Sequence, residues 1–275
     1  MINNKETIDM TMTMEIDFES AVESVNVSPS NAIKTVLEAV VNSIQSCRYD
    51  DSNHNITVKI YTSQMDTDGN KSEIAEGFDI IDDGEGFTDR NFKSFCTLYS
   101  RAKKQSFGCK GVGRLTWLKV FKDVSVESVY SVGDSYYKRE FSFSLDSSGV
   151  NGGDEPLLLD GVHSNRTVIK LRHCYPSFVQ QIKTTPKSLV NNIADHCISF
   201  YLDTSKKVPV IRVEQNDSIE TVNDVWEDIV KEDESSDLDV KNNHFHITHV
   251  KFYRMSTSKN GISLCADGLE VLPKD

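Results

Sequence analysis

Apolar and polar positions change period several times along the chain, and each change marks an expected element. Met12 to Phe18 alternate apolar and polar, the period of a half-buried strand, which would serve as an edge strand or an exchanged arm. Ser28-Pro29 reads as an N-cap with proline at the first helical position, predicting a helix to about Cys47. On that helix Ile33, Val36, Leu37, Val40, Val41 and Ile44 share one arc, as core packing requires. "NITVKIYT", with Ile56, Val58 and Ile60 on one face, and "EGFDIID" predict a hairpin joined by the polar stretch Ser63 to Glu76.

Further on, Phe87 to Gly108 is mixed and polar, and "GCKGVGRLTWLKVF" opens as a glycine-rich loop and closes as helix from Arg114 to Phe121. "KDVSVESVYS", "SYYKREFSFSL" and "RTVIKLRHC" alternate β-branched and aromatic residues with polar ones and predict strands. "TPKSLVNNIADHCISFYL" predicts another helix, and Lys206-Lys207 follow as a polar break. A domain boundary is expected there, dividing the chain into an arm (1–27), a main domain (28–205) and the beginning of a β-rich unit (206–275). In that last unit "VPVIRVEQ", "HFHITHVKFYR" and "GISLCADGLEVL" read as strands, and the acidic stretch Glu227 to Asp239 as a solvated face or loop. The expected class is α+β, a two-layer sandwich with a mixed sheet covered by helices on one face.

Composition narrows the function classes. With 38% hydrophobic and 26% charged residues in a chain of 275, a substantial core is affordable, and no apolar run is long enough to span a membrane. No basic-then-apolar leader opens the sequence, so a cytoplasmic protein is expected. The 42 acidic residues against 30 basic ones give a net charge of −12, which argues against direct nucleic-acid binding. Six cysteines occur without a C-x-x-C pair or a histidine at metal spacing, and read as free thiols.

Three stretches carry candidate chemistry. "DDGEGF", Asp82 to Phe87, sets two glycines two residues apart behind carboxylates at a strand end; a surface turn would explain it, and so would a close approach to the backbone. Glu38 and Asn42 are four apart on the first helix, at the edge of its apolar arc, able to face either a cleft or water. Gly108-Cys109-Lys110-Gly111-Val112-Gly113 precedes a helix, where free N–H groups and the helix dipole favour an anion, although a flexible connector has the same composition. It is neither a Walker loop nor a dinucleotide fingerprint.

In order and separation these motifs, together with Arg166-Thr167 at the start of a later strand, resemble those of the GHKL superfamily of ATPases. That group contains gyrase, the heat-shock chaperone of the same fold, sensor histidine kinases and the MutL mismatch-repair proteins, and the resemblance covers about residues 28 to 205. It implies a Bergerat-type ATP-binding fold using ATP and Mg2+. "LEAVVNSIQS" looks like the family's first motif, with Glu38 as general base and Asn42 as magnesium ligand; Gln45 stands where family members often have aspartate. Asp82 matches the acid that reads the adenine amino group, Gly84 and Gly86 would let the base lie against the backbone, and Asp83 would be a turn residue only. Thr167 resembles the threonine that completes adenine recognition. Gly108, Gly111 and Gly113 carry over as the lid and phosphate loop together with Val112, while Lys110 and Arg114 add charge. Phe87 to Phe107 would form the ATP lid, with Ser100, Lys103 and Lys104 reaching the nucleotide on closure.

"CADGLEV", Cys265 to Val271, looks like a strand of the transducer domain that follows the nucleotide domain in the MutL and gyrase branches. In that branch a downstream lysine reaches the γ-phosphate, and nucleotide-dependent dimerisation drives a larger multidomain protein. A fragment of such a protein, with an effector or partner downstream, is the expectation. Two alternatives use the same pocket: a sensor-kinase phosphotransferase, and a nucleotide-sensing module without turnover.

Overall fold

The computed structural model describes residues 17–62, 74–98, 113–145, 149–203, 205–240, 243–252, 262–266 and 269–274, with side chains to residue 228. Helix α1 (Phe18–Glu23) begins at Asp17, whose Oδ1 accepts from the Glu19 and Ser20 amides. Phe18 is therefore helical and not the end of the expected strand; Met12 to Ile16 lie outside the described residues. Pro29–Asn31 form a 3₁₀ turn before α2 (Lys34–Cys47), so the helix predicted from Ser28 starts about one turn later. The Ser28 hydroxyl accepts from the Asn31 side chain instead of capping the backbone. The predicted arc of α2 is buried at Val36, Leu37, Val40, Val41 and Ile44, while Ile33 is half-buried.

The rest follows as β1 (Asn55–Thr62), β2 (Ala75–Asp82), α3 (Asp89–Cys96), α4 (Leu115–Val120), β3 (Phe121–Val132), β4 (Ser135–Ser144), β5 (Gly149–Gly152), β6 (Leu157–Leu159) and β7 (Arg166–Cys174). Then come α5 (Pro176–Val179), α6 (Pro186–His196), α7 (Ile198–Leu202), β8 (Val210–Gln215), β9 (Ser218–Thr221), α8 (Val222–Ile229), β10 (Val230–Val240), β11 (Asn243–Phe252), β12 (Ile262–Ala266) and β13 (Leu269–Lys274). One mixed sheet runs β5-β4-β3-β7-β2-β1-β8-β9, with β6 also on β4; among the described residues only its β1–β8 pair is parallel. The class is α+β, as expected. Phe121 opens β3 and does not close α4, and the single helix expected after Pro186 breaks at Cys197 into α6 and α7.

Register organises the face that packs against helices α2, α4 and α6. One row across the sheet is Ile60, Phe78, Leu171, Val124 and Phe143, and the next is Val58, Ile80, Ile169, Val126 and Phe141; all of these are buried. Truncating one of them to alanine would cost about 2–5 kcal/mol. The following row is Ile56, Asp82, Thr167, Ser128 and Arg139, polar at every position after the first. At this end the core gives way to hydrogen-bonding groups.

The boundary expected at residue 206 falls inside the main sheet. β8 pairs with β1 in parallel, β9 pairs with β8, and Trp226 of α8 is buried with its indole N–H donating to the Ala194 carbonyl at 2.9 Å. The acidic stretch Glu227 to Asp239, read as a solvated face or loop, runs from the end of α8 into the strand β10, which pairs with β11. β12 and β13 form a second hairpin, where strands were expected.

Candidate functional site

One wall of the site is α2. Glu38, Asn42, Ser43 and Ser46 lie along its edge, and helical rise separates Glu38 from Ser46 by about 12 Å. Glu38 is half-buried, and burial raises its carboxyl above the ordinary range. Its Oε2 would lie 2.3 Å from a Cβ placed on Gly113, so the glycine leaves the space the carboxylate occupies. Asn42, one turn on, is also half-buried. Among the described residues, none hydrogen-bonds the Glu38 carboxylate or the Asn42 amide. Both remain available to a substrate, water or cation.

The second wall is the turn after β2. Asp82 is 3% exposed; its Oδ2 accepts from the Ser43 hydroxyl at 2.7 Å and its Oδ1 from the Gly84 amide at 3.1 Å. Burial pushes its carboxyl up to about 6, against the pull of those two hydrogen bonds. Each oxygen retains capacity for another donor.

The two glycines of this turn answer to the fold itself. A Cβ on Gly84 would stand 2.6 Å from the Ser46 carbonyl carbon and 2.5 Å from its Oγ. Gly86 has φ of +74°, and a Cβ there would meet Ser128 Oγ and Tyr130 Cβ, each at 2.9 Å. The turn is thus pressed between the C-terminal half of α2 and strand β3, and the absent side chains make room for protein atoms on those sides. The Glu85 amide donates to the Ser46 carbonyl at 3.2 Å, the Gly86 amide to Ser46 Oγ at 3.4 Å, and the Asn165 side chain to the Gly84 carbonyl at 3.1 Å.

Thr167 sits opposite Asp82 in the β2–β7 ladder, buried, its hydroxyl 2.8 Å from that of Ser128. Ser128 Oγ also accepts from the Phe87 amide at 3.0 Å, tying the exit of the turn to the polar row. At the end of that row the Arg139 guanidinium is buried over the Phe92 ring, bonded to Asp89 and, at 3.1 Å, to the Tyr130 hydroxyl. Asp82, Thr167, Gly84 and Gly86 are therefore gathered in one place, and Glu38 meets Gly113 across α2.

Arg114 is turned elsewhere. Its guanidinium lies 5.1 Å from the Phe95 ring centroid and donates to the Thr97 carbonyl at 3.0 Å; burial pulls its pKa down to about 10. It borders a cavity of about 350 Å³ with Phe18, Phe92, Leu98 and Phe143, none of them expected site residues. Ser100, Lys103, Gly108, Lys110, Gly111 and Val112, with Lys104, lie outside the described residues.

Sequence reasoning passed over Ser43, Ser46, Ser128 and Asn165, and assigned Asp83 too little. Asp83 accepts from the Asn55 amide at 2.9 Å and from its side chain at 3.2 Å, and its Oδ1 lies 2.9 Å from His54 Nδ1. Ser43 and Ser46 were detectable only as polar positions after Asn42, three apart on one helix face. Ser128 becomes visible only once the β3–β7 register is known.

No family model matches the chain, and no curated protein matches it. No helix among the described residues is long and apolar enough to cross a membrane.

Proposed function

We propose that this chain is a GHKL-type ATPase domain of Bergerat fold, binding ATP with Mg2+ between α2 and the sheet and hydrolysing it slowly. The observation that carries the reading is α2 itself. One helix presents a half-buried, unbonded carboxylate against a glycine, an unbonded amide one turn later, and a serine that orients a buried aspartate at the end of the central strand.

The residues present fit the groups. Asp82, when ionised, accepts a hydrogen bond from an exocyclic amino group, and the Ser43 and Gly84 donors fix its plane. The Asn42 amide oxygen suits a hard cation that keeps several waters. ATP brings the scissile phosphoanhydride, and Mg2+ neutralises charge on its phosphates. Glu38, its carboxyl raised by burial, is the general base that takes a proton from water. Nucleotide-dependent self-association, and output through a downstream region or partner, belong to the same proposal.

Phosphate release and ATP binding by wild type and Glu38→Ala test it. Binding within about threefold of wild type with turnover reduced by at least ~100-fold is the expected result. Equal turnover in the two proteins would overturn the role of Glu38, and absence of ATP binding to wild type would overturn the reading altogether.

A further inference from the structure

A second constellation lies behind Asp82, on the side away from Glu38. Cys47 is the last residue of α2, His54 directly precedes β1, and Asp83 directly follows β2. The β1–β2 register, with Ile56 opposite Asp82, draws the two strand ends together beneath the helix terminus. The thiol of Cys47, a ring nitrogen of His54 and a carboxylate oxygen of Asp83 all lie within 4.8 Å of one another. Cys47 and His54 are buried, while Asp83 and Asp50 are half-exposed and open the cluster to solvent.

We propose that Cys47, His54 and Asp83 form a zinc site, separate from the magnesium position at Asn42. The donor set is a thiolate, an imidazole and one carboxylate, which favours a borderline-soft ion such as Zn2+ over the hard Mg2+. Tetrahedral Zn2+ holds such atoms roughly 3.3–3.7 Å apart, within reach of the arrangement seen here, and water takes the fourth place.

The surrounding groups are those that orient metal ligands. With Nδ1 of His54 toward the metal, its Nε2–H points to Asp50 Oδ1 at 2.9 Å, the carboxylate–histidine–metal arrangement. Asp83 is held in turn by the Asn55 amide and side chain. Charge favours a cation as well. The carboxylates of Asp82, Asp83 and Asp50 lie around Cys47 and give the cluster a negative field. Zn2+ binding forms Zn–S and Zn–N bonds, and the proton of the Cys47 thiol goes to solvent.

The test uses the full chain, reduced and without nucleotide, so its result is independent of ATP binding. Calorimetric titration with Zn2+ is expected to show one ion per chain, with at least one proton released at pH 7 when buffers of different ionisation enthalpy are compared. Co2+ in place of Zn2+ should give a sulfur-to-metal charge-transfer band. Cys47→Ser should abolish that band, His54→Gln should weaken Zn2+ binding at least ~100-fold, and Asp50→Asn roughly tenfold. Cys96, exposed, supplies the control: Cys96→Ser should leave both signals unchanged. No stoichiometric Zn2+ binding by wild type, a band that survives Cys47→Ser, or full affinity in the His54→Gln protein would each overturn the proposal.

Discussion

The hydroxyl of Ser43 donates to Asp82 Oδ2 at 2.7 Å, joining the middle of α2 to the last residue of the central strand. The helix that carries Glu38 and Asn42 is thereby fixed relative to the acid that would read a purine. Ser43→Ala removes one of the two donors to a buried carboxylate. A stability loss of about 1–3 kcal/mol is expected in denaturant melts, with a fall in ATP affinity measured by calorimetry.

Asp82 also sets a pH dependence. Burial holds its folded-state carboxyl at about 6, above the ordinary aspartate value of about 3.9, so the folded protein holds this proton more tightly than the unfolded chain. Below pH 4 both states are protonated and Asp82 costs nothing; between pH 4 and 6 stability falls as pH rises, by roughly 3 kcal/mol in total. Asp82→Asn should flatten that segment of the stability curve. The same substitution should weaken ATP binding roughly tenfold or more at pH 7.5, and wild-type affinity should decline as pH drops below 6.

Substitutions at Gly113 and Gly84 should separate the proposed ATP turnover from folding. A methyl on Gly113 meets the end of the flexible Glu38 side chain, which can swing aside, so Gly113→Ala should cost under about 1 kcal/mol of stability yet reduce turnover as Glu38→Ala does. A methyl on Gly84 meets the Ser46 backbone, with the carbonyl carbon at 2.6 Å and the oxygen at 2.8 Å. Gly84→Ala should therefore destabilise by several kcal/mol, on the order of other overpacked sites. Thermal melts and phosphate release on the two variants measure the contrast.

His54 gives a slope of the same sign at higher pH in the metal-free protein. Burial disfavours a charged ring, but hydrogen bonds and charge from Asp50 and Asp83 outweigh it and raise the pKa overall. The stabilisation is full below the unfolded value of about 6.5 and is lost as pH rises through the folded one. His54→Gln should thus destabilise more at pH 6 than at pH 9 in paired denaturant melts.

Much of this architecture was legible from local pattern. The apolar arc of α2 and the alternation of β1, β3, β4 and β7 have a period that one sequence reveals, because each depends on residues a few positions apart. The rest depended on pairing between distant segments. Nothing near Ser128 announces that it will stand beside Thr167, and nothing near Val210 announces a parallel partner in β1. Cys47, His54 and Asp83 share no motif spacing, since a helix end and two strand ends supply one residue each. From sequence the glycines of "DDGEGF" fit a surface turn or, by resemblance, a base lying against the backbone; that a Cβ there would also meet Ser46, Ser128 or Tyr130 depends on distant segments.

The parallel partnership of β8 with β1 decides how this chain can be trimmed. A fragment ending near Lys206 would strip one side of β1 and leave Ile56, Val58 and Ile60 on an unprotected border strand, a template for self-association into aggregates. Expression of a minimal unit should therefore carry through α8, so that Trp226 stays buried against α6 with its indole bonded to the Ala194 carbonyl.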